Sequence, residues 1–240
     1  MSAKDINRQL FIRTIAVIGE TGLSHLNDAK VAVFGLGGVG AACAEALARC
    51  GIGHITLVDY DRVELSNINR QLIALHSTLG LLKTDVCEAR LLDINPDLDI
   101  KKYPLFYGLD TVHEVDLSMM DGVADCVDTL SAKILLAKKA RDEGFYLVSA
   151  MGAGKRLNPG QLRLADIYQT SVCPLARRMR KACRDEGIKA LRVVYSDEEP
   201  IVPPELPEGG HPVLGSVSFV TPVAGYLIAG DIIRHLLGIQ

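Results

Sequence analysis

A glycine cluster, a run of acids and amides, and two well-spaced cations are the residues of this chain whose types and spacing point to chemistry. Gly35-Leu36-Gly37-Gly38-Val39-Gly40 satisfies G-x-G-x-x-G through Gly35, Gly37 and Gly40, with Gly38 as an extra. Glycines at that spacing permit a tight turn and let a phosphate approach backbone N–H groups at a helix N-terminus, where the dipole favours negative charge. Asp59 follows 19 residues after Gly40, where a carboxylate would accept hydrogen bonds from ribose hydroxyls. The motif alone does not separate NAD, FAD, S-adenosylmethionine and ATP.

The string Asp59-Tyr60-Asp61-Arg62-Val63-Glu64-Leu65-Ser66-Asn67-Ile68-Asn69-Arg70-Gln71 discriminates further, because it sets a dense group of polar side chains just past a strand. Lys83 opens the next helix 13 residues beyond Arg70. A dinucleotide's pyrophosphate is met mainly by backbone, whereas a triphosphate undergoing substitution needs fixed cations and a metal. Arg70 and Lys83 supply the cations. Asp128 is expected at the end of a third apolar strand, where it would serve as a magnesium ligand or as a helix N-cap; Asp128-Thr129-Leu130-Ser131 allows both. An NAD-binding oxidoreductase, which the glycine cluster alone would permit, leaves Asn67 to Gln71, Lys83 and Asp128 without a role.

The elements that must position these residues follow from hydrophobic periodicity. Ile6 to Gly19 reads as an amphipathic helix, Val31 to Phe34 as a buried strand, Ala41 to Arg49 as a helix and Ile55 to Val58 as a second buried strand ending at Asp59. Lys83 to Ile94 is helical, Ile100 to Leu105 a weaker strand, and Val123 to Val127 an apolar strand ending at Asp128. Ser131 to Gly144 and Tyr146 to Ala150 add a helix and a strand. Strands alternating with helices predict an α/β fold, a doubly wound, mostly parallel Rossmann-like sheet. Beyond residue 150 an α+β extension is expected: strand Gln161 to Ile167, a basic helix from Cys173 to Gly187, strand Leu191 to Ser196, an acidic proline-rich loop from Asp197 to Pro212, and a closing helix from Val217 to Leu237.

Composition narrows the function classes. The 240 residues can bury one substantial core. Hydrophobic residues make up 48% and charged residues 23%, which excludes disorder as the main state. The formal net charge of −3 argues against holding nucleic acid by bulk positive charge alone. No apolar run reaches membrane-spanning length, so no membrane is expected as a partner and the cytoplasm is the expected location. The six cysteines form no C-x-x-C pair and read mostly as reduced core residues.

Gly35 to Gly40, the Asp59 to Gln71 string, Lys83 and the Cys126-Val127-Asp128 strand end resemble the adenylation domain of the ubiquitin-activating and sulfur-carrier-activating superfamily, over about Ile6 to Ala150. The resemblance implies that Gly38, Asp59, Asn67, Arg70, Lys83 and Asp128 bind ATP and Mg2+. The wider set Gly35, Gly37, Gly40, Asp61, Asn69 and Gln71 is expected to bind the nucleotide with them. It further implies a homodimer in which Arg13, on the N-terminal helix, reaches the partner's triphosphate; an exposed helix arginine is the plainer reading. On this basis residues 1–150 form an ATP-binding adenylation region and 151–240 a substrate-binding and dimerisation extension.

Activators of molybdopterin and thiamine sulfur carriers generally carry two C-x-x-C pairs for zinc, and this chain has none. Ser149 to Gly154, Ala165-Asp166-Ile167 and Thr170 to Arg177 instead resemble the bacterial tRNA threonylcarbamoyladenosine dehydratases. That resemblance implies ATP-dependent cyclisation of threonylcarbamoyladenosine in tRNA through a carboxyl adenylate, with AMP and pyrophosphate released. The alternative is an adenylating activator of a ubiquitin-like or sulfur-carrier protein, with a sulfur-transfer partner and Cys173 as its nucleophile; Cys173 otherwise packs at a helix start. Arg177, Arg180, Lys181 and Arg184 fall at i, i+3, i+4 and i+7, with Arg178 beside them. This stripe suits tRNA phosphates or serves as a solvated face. Seven basic and two acidic residues make the stretch from Ser171 to Arg192 net +5, so the small total conceals a dipolar chain.

Overall fold

The first strand, β1 (Lys30–Phe34), shows why the chain must form layers. Val31 and Val33 are buried in one core and Ala32 and Phe34 in another, because successive side chains of a strand point to opposite faces. A strand apolar on both faces needs helices on both sides. The computed structural model, which describes residues 8–202 and 214–239, supplies them.

Strands β2 (His54–Val58), β3 (Asp99–Tyr103), β4 (Gly122–Asp125), β5 (Tyr146–Ala150), β6 (Leu162–Asp166) and β7 (Arg192–Ser196) complete a seven-stranded sheet in the order β3-β2-β1-β4-β5-β7-β6. All neighbours are parallel except β6 and β7. The helices are α1 (Ile12–Asp28), α2 (Gly40–Cys50), α3 (Lys83–Ile94), α4 (Leu130–Glu143), α5 (Pro174–Asp185) and α6 (Thr221–Leu236). One core joins α2, α3 and α6 through Leu47, Leu91 and Ile228; the other joins α4 and α5 through Leu136 and Met179. The expected doubly wound, mostly parallel sheet is therefore present, and β7 and β6 extend it past β5.

Strand β1 lies between β2 and β4, so the strand order reverses there and a crevice opens beyond the carboxyl ends. At this point Gly35 N–H donates to Val58 O at 2.8 Å and Cys126 N–H donates to Phe34 O at 2.8 Å. Gly35 has φ +82°, and a Cβ there would stand 2.8 Å from Cys126 O. Only glycine turns the chain at so crowded an exit.

Several boundaries differ from the sequence reading. The N-terminal helix does not stop at Gly19: that residue kinks it (φ 75°, ψ 169°), and the helix resumes to Asp28, where Leu23 and Leu26 are buried. Strand β4 ends at Asp125, not Asp128, because a buried lysine partners the Asp125 carboxylate and fixes it inside the core. The closing helix starts at Thr221, with Pro222 in its first turn. Most of the Asp197 to Pro212 loop lies outside the described residues. All six cysteines are free thiols, four of them buried, and burial pushes the Cys87 thiol up to about 12. Among the described residues no helix is long and apolar enough to cross a membrane.

Candidate active site

The crevice opens into a cavity of about 810 Å³ that gathers residues from nearly every strand end. Gly35, Gly37, Gly38, Asp59, Asp61, Asn67, Arg70, Gln71, Lys83, Asp128 and Cys173 all line it. Gly40 does not, but its role is visible: a Cβ there would lie 1.7 Å from Gly35 O, so the loop closes only with glycine. At Gly37 a Cβ would meet nothing nearer than Gln71 Nε2 at 3.8 Å, so the space above it belongs to the cavity.

Asp59, the first residue past β2, is held from below. Its Oδ2 accepts Leu36 N–H at 2.5 Å and its Oδ1 accepts Asp61 N–H at 2.8 Å. Burial pushes its carboxyl above the ordinary aspartate value, against the Lys83 ammonium and the two backbone donors. Lys83 is almost fully buried and tied to Asp61 twice, by Nζ to Oδ2 at 2.8 Å and by its backbone N–H to the Asp61 carbonyl at 3.0 Å. Buried Asn67 organises the connecting turn: its carbonyl accepts Arg70 N–H at 3.1 Å and Gln71 N–H at 3.0 Å. Arg70 donates to Ser66 O at 2.9 Å and to Asn69 Oδ1 at 2.8 Å. Asn69 is not in the wall; its Nδ2 reaches Ser216 O at 2.9 Å and pins the segment before α6 beneath the turn.

Asp128 is exposed at the rim, three residues beyond β4, and does not cap α4: Thr129 takes the N-cap position and no side chain bonds the first amides. The charges of Asp61, Asp128 and Asp59, with some burial, raise the Tyr60 phenol above its ordinary value, which places these acids around one mouth. Tyr60 also packs edge-on against Phe106 with ring centroids 5.2 Å apart.

Other expectations need correcting or placing. Arg13 is exposed on α1 and is not among the residues lining this chain's cavity. Cys173 is buried at the start of α5, its Sγ 3.4 Å from where a Cβ on Gly152 would stand. In the basic helix, Arg180 does not join the outer stripe: it turns inward to Thr170, donating to the carbonyl at 2.9 Å and to Oγ1. Arg184 lies over the Tyr168 ring at 5.5 Å, while Arg177, Arg178 and Lys181 are exposed.

Two features went unread in the sequence. Lys133 on α4 is completely buried and donates to Asp125 Oδ1 at 3.1 Å and to Ala150 O at 2.7 Å, with Ser149 Oγ also bonded to Asp125. It clamps the ends of β4 and β5 under the cavity floor. The signal was an aspartate interrupting the apolar run Val123-Ala124-Asp125. The second feature is Lys155 and Arg156, which line the wall beyond β5. Of the seven buried polar atoms with no partner among the described residues, five belong to cavity residues: Gln71 Oε1, Tyr107 OH, Arg156 Nε, Ser216 Oγ and Thr221 Oγ1. Unpaired buried polar groups are costly, so their concentration here marks a site completed by a polar ligand.

Comparison with known proteins agrees with this geometry. Over 239 residues the chain is 40% identical to a Bacillus subtilis tRNA threonylcarbamoyladenosine dehydratase, covering 95% of this chain and 94% of that protein. It is 37% identical to the Escherichia coli dehydratase over 83% of this chain and 77% of that protein. The crystal structure of the E. coli enzyme in complex with AMP superimposes with a TM-score of 0.89 at 32% identity, covering 96% of this chain and 95% of that one. The ThiF family matches residues 7–240, and the chain belongs to that family.

Proposed function

We propose that this protein catalyses ATP-dependent cyclisation of N6-threonylcarbamoyladenosine in tRNA. The observation that carries the reading is one cavity with two kinds of wall. A glycine turn with Asp59, Arg70 and Lys83 forms one side, and the segment following β5 forms the other. At about 810 Å³ the cavity is in the upper part of the range for small-molecule sites, roughly 300–1,000 Å³, so it has room for a nucleotide beside a second reactant.

In the first step a threonyl carboxylate oxygen attacks the α-phosphorus of ATP, and the bond to the β-phosphate bridging oxygen breaks to release pyrophosphate. Arg70 and Lys83 offset the charge spreading over the phosphates. Asp59 receives the ribose hydroxyls, with Leu36 N–H and Asp61 N–H holding its carboxylate in place. In the second step the ureido oxygen attacks the acyl carbon, the acyl–O–AMP bond breaks, AMP leaves, and the ureido N–H proton is lost as the oxazolone ring forms. That attack is intramolecular, so holding the side arm in a reactive conformation is the main requirement, and no protein nucleophile is needed.

Magnesium suits the residues present, since it binds through one or two carboxylates with substrate phosphates completing its shell. Asp128, exposed at the cavity rim, is the carboxylate that would hold it. When bound it would add charge neutralisation on the transferred phosphoryl group.

Helix α5 begins in the cavity wall at Pro174 and Leu175, and Arg177, Arg178 and Lys181 stand exposed on its following turns. These three cations support tRNA positioning through phosphates, with an affinity that falls as salt rises. Leu10, Ile12 and Val17 are exposed apolar side chains flanking Arg13; a homodimer would cover them and bring Arg13 to the partner's site. The cytoplasm, where tRNA is modified, is the compartment this reading implies.

The test is incubation with ATP and tRNA that carries threonylcarbamoyladenosine. Mass spectrometry should find a nucleoside lighter by one water, with AMP formed in step. Equal AMP formation with unmodified tRNA would exclude the reading.

A further inference from the structure

The wall beyond β5 holds a charge that no carboxylate among the described residues pairs. Arg156 is only 3% exposed. Its one hydrogen bond among the described residues runs from Nη1 to Lys155 O at 3.2 Å, a carbonyl that already accepts Ile201 N–H at 2.9 Å. Its Nε has no partner among the described residues. A guanidinium carries five N–H donors in a rigid fork, and leaving it buried and unpaired costs far more than leaving it in water.

The segment bearing Arg156 is built to stay where it is. Lys155 N–H donates to Gly215 O at 2.8 Å, and Lys155 itself holds a positive φ of 57°. On the other flank the Glu198 carboxylate accepts the N–H groups of Leu157, at 3.1 and 3.2 Å, and of Asn158 at 2.9 Å. A non-glycine residue in the left-handed region is retained only where its surroundings determine it. The fold thus holds in place a segment that delivers a buried cation to the cavity.

Three features narrow the anion it takes. The triphosphate already has the glycine turn, Arg70 and Lys83, all on the β1–β2 side. Strand β5 lies two strands away from β1, about 10 Å at the usual strand spacing. A tRNA phosphodiester could not reach a side chain so deeply enclosed, whereas a carboxylate on a short side arm could, and its two oxygens match the guanidinium fork. We propose that Arg156 is the residue that receives the threonyl carboxylate of the substrate and so selects the ionised acid. This rests on the function proposed above.

The assignment is tested with anticodon stem-loop RNAs carrying threonylcarbamoyladenosine, its threonine methyl ester, or unmodified adenosine, bound to wild type, Arg156→Gln and Arg156→Lys. Wild type should bind the acid about tenfold or more tightly than the ester, the range expected for a hydrogen bond to a charged group. Arg156→Gln should bring acid and ester to within about twofold while ATP affinity stays the same. Arg156→Lys keeps the charge without the fork; it should retain part of the preference and covers the case in which the glutamine variant does not fold. An acid preference that survives in Arg156→Gln, or a parallel loss of ATP affinity, would overturn the assignment. Wild type that prefers modified to unmodified RNA but treats acid and ester alike would overturn this assignment alone. Indifference to the modification would overturn the proposed function, and this inference with it.

Discussion

On the β1–β2 side of the cavity the charged groups arrive with partners, although Gln71 Oε1 beside them has none among the described residues. Asp59 rests on two backbone N–H donors, Lys83 is tied twice to Asp61, and Arg70 bonds to Ser66 and Asn69. On the β5 side Arg156 is buried with an Nε that has no partner among the described residues. Charges already paired are held in place before any ligand arrives, and electrostatic catalysis depends on such preorganisation. A buried charge left without its partners is completed by what binds, which is how a buried polar group discriminates between substrates. On the function proposed above, the contrast puts nucleotide chemistry at one wall and choice of co-substrate at the other.

The strongest way to break this contrast is Lys83→Ala. Removing one preorganised cation should lower substrate-dependent ATP–pyrophosphate exchange by about 10²–10³-fold, and an undiminished rate would place the chemistry elsewhere.

Glycine replacements sharpen it next. Gly40→Ala must displace Gly35 O, 1.7 Å from the new Cβ, so loss of folded protein is expected. At Gly37 the new Cβ has room, with its nearest neighbour at 3.8 Å. Gly37→Ala should therefore melt within about 2 °C of wild type while ATP affinity drops about tenfold, as phosphate can no longer approach the backbone. Lost stability without lost nucleotide affinity would show that Gly37 serves packing.

The smallest effect concerns the scaffold of the β5 side. Asp231 on α6 accepts from Tyr146 OH on β5 at 2.7 Å and from Arg192 on β7 at 2.8 and 3.0 Å. Burial alone would raise its carboxyl, but the Arg192 guanidinium and the Tyr146 hydroxyl outweigh it and hold the value below the ordinary one. A depressed carboxyl stabilises the fold above its unfolded value, about 3.9, and that contribution disappears as pH falls through the lower folded value. Arg192 is 38% exposed, so screening keeps the contribution modest. Asp231→Asn should cost about 1–2 kcal/mol at pH 7, with the gap to wild type closing below about pH 4. A gap independent of pH in denaturant melts would show that the aspartate's charge is irrelevant there.

Most of the sheet was legible because its strands are local apolar runs punctuated by glycine. Helix α3 and strand β5 fall where periodicity puts them. The misread boundaries share a cause in tertiary contacts: Gly19 carries a local stop signal that the burial of Leu23 and Leu26 overrides, and the apolar run reads on through Asp125 to Val127, whereas β4 ends at Asp125, which Lys133 holds across the floor. Arg180 likewise fits the helical stripe by spacing, yet Thr170 claims it.

The wall with the glycine turn could be read from the chain because its residues lie close together in sequence, from Gly35 to Lys83, and the close backbone approaches at Gly35 and Gly40 are local. The other wall could not. Arg156 is one cation among 26 in the sequence. Its burial, an Nε with no partner among the described residues, and its place in the cavity wall exist only once β5, Glu198 and the segment before α6 have packed around it. Sequence spacing carries local geometry, whereas desolvation and the absence of a partner are properties of the folded interior.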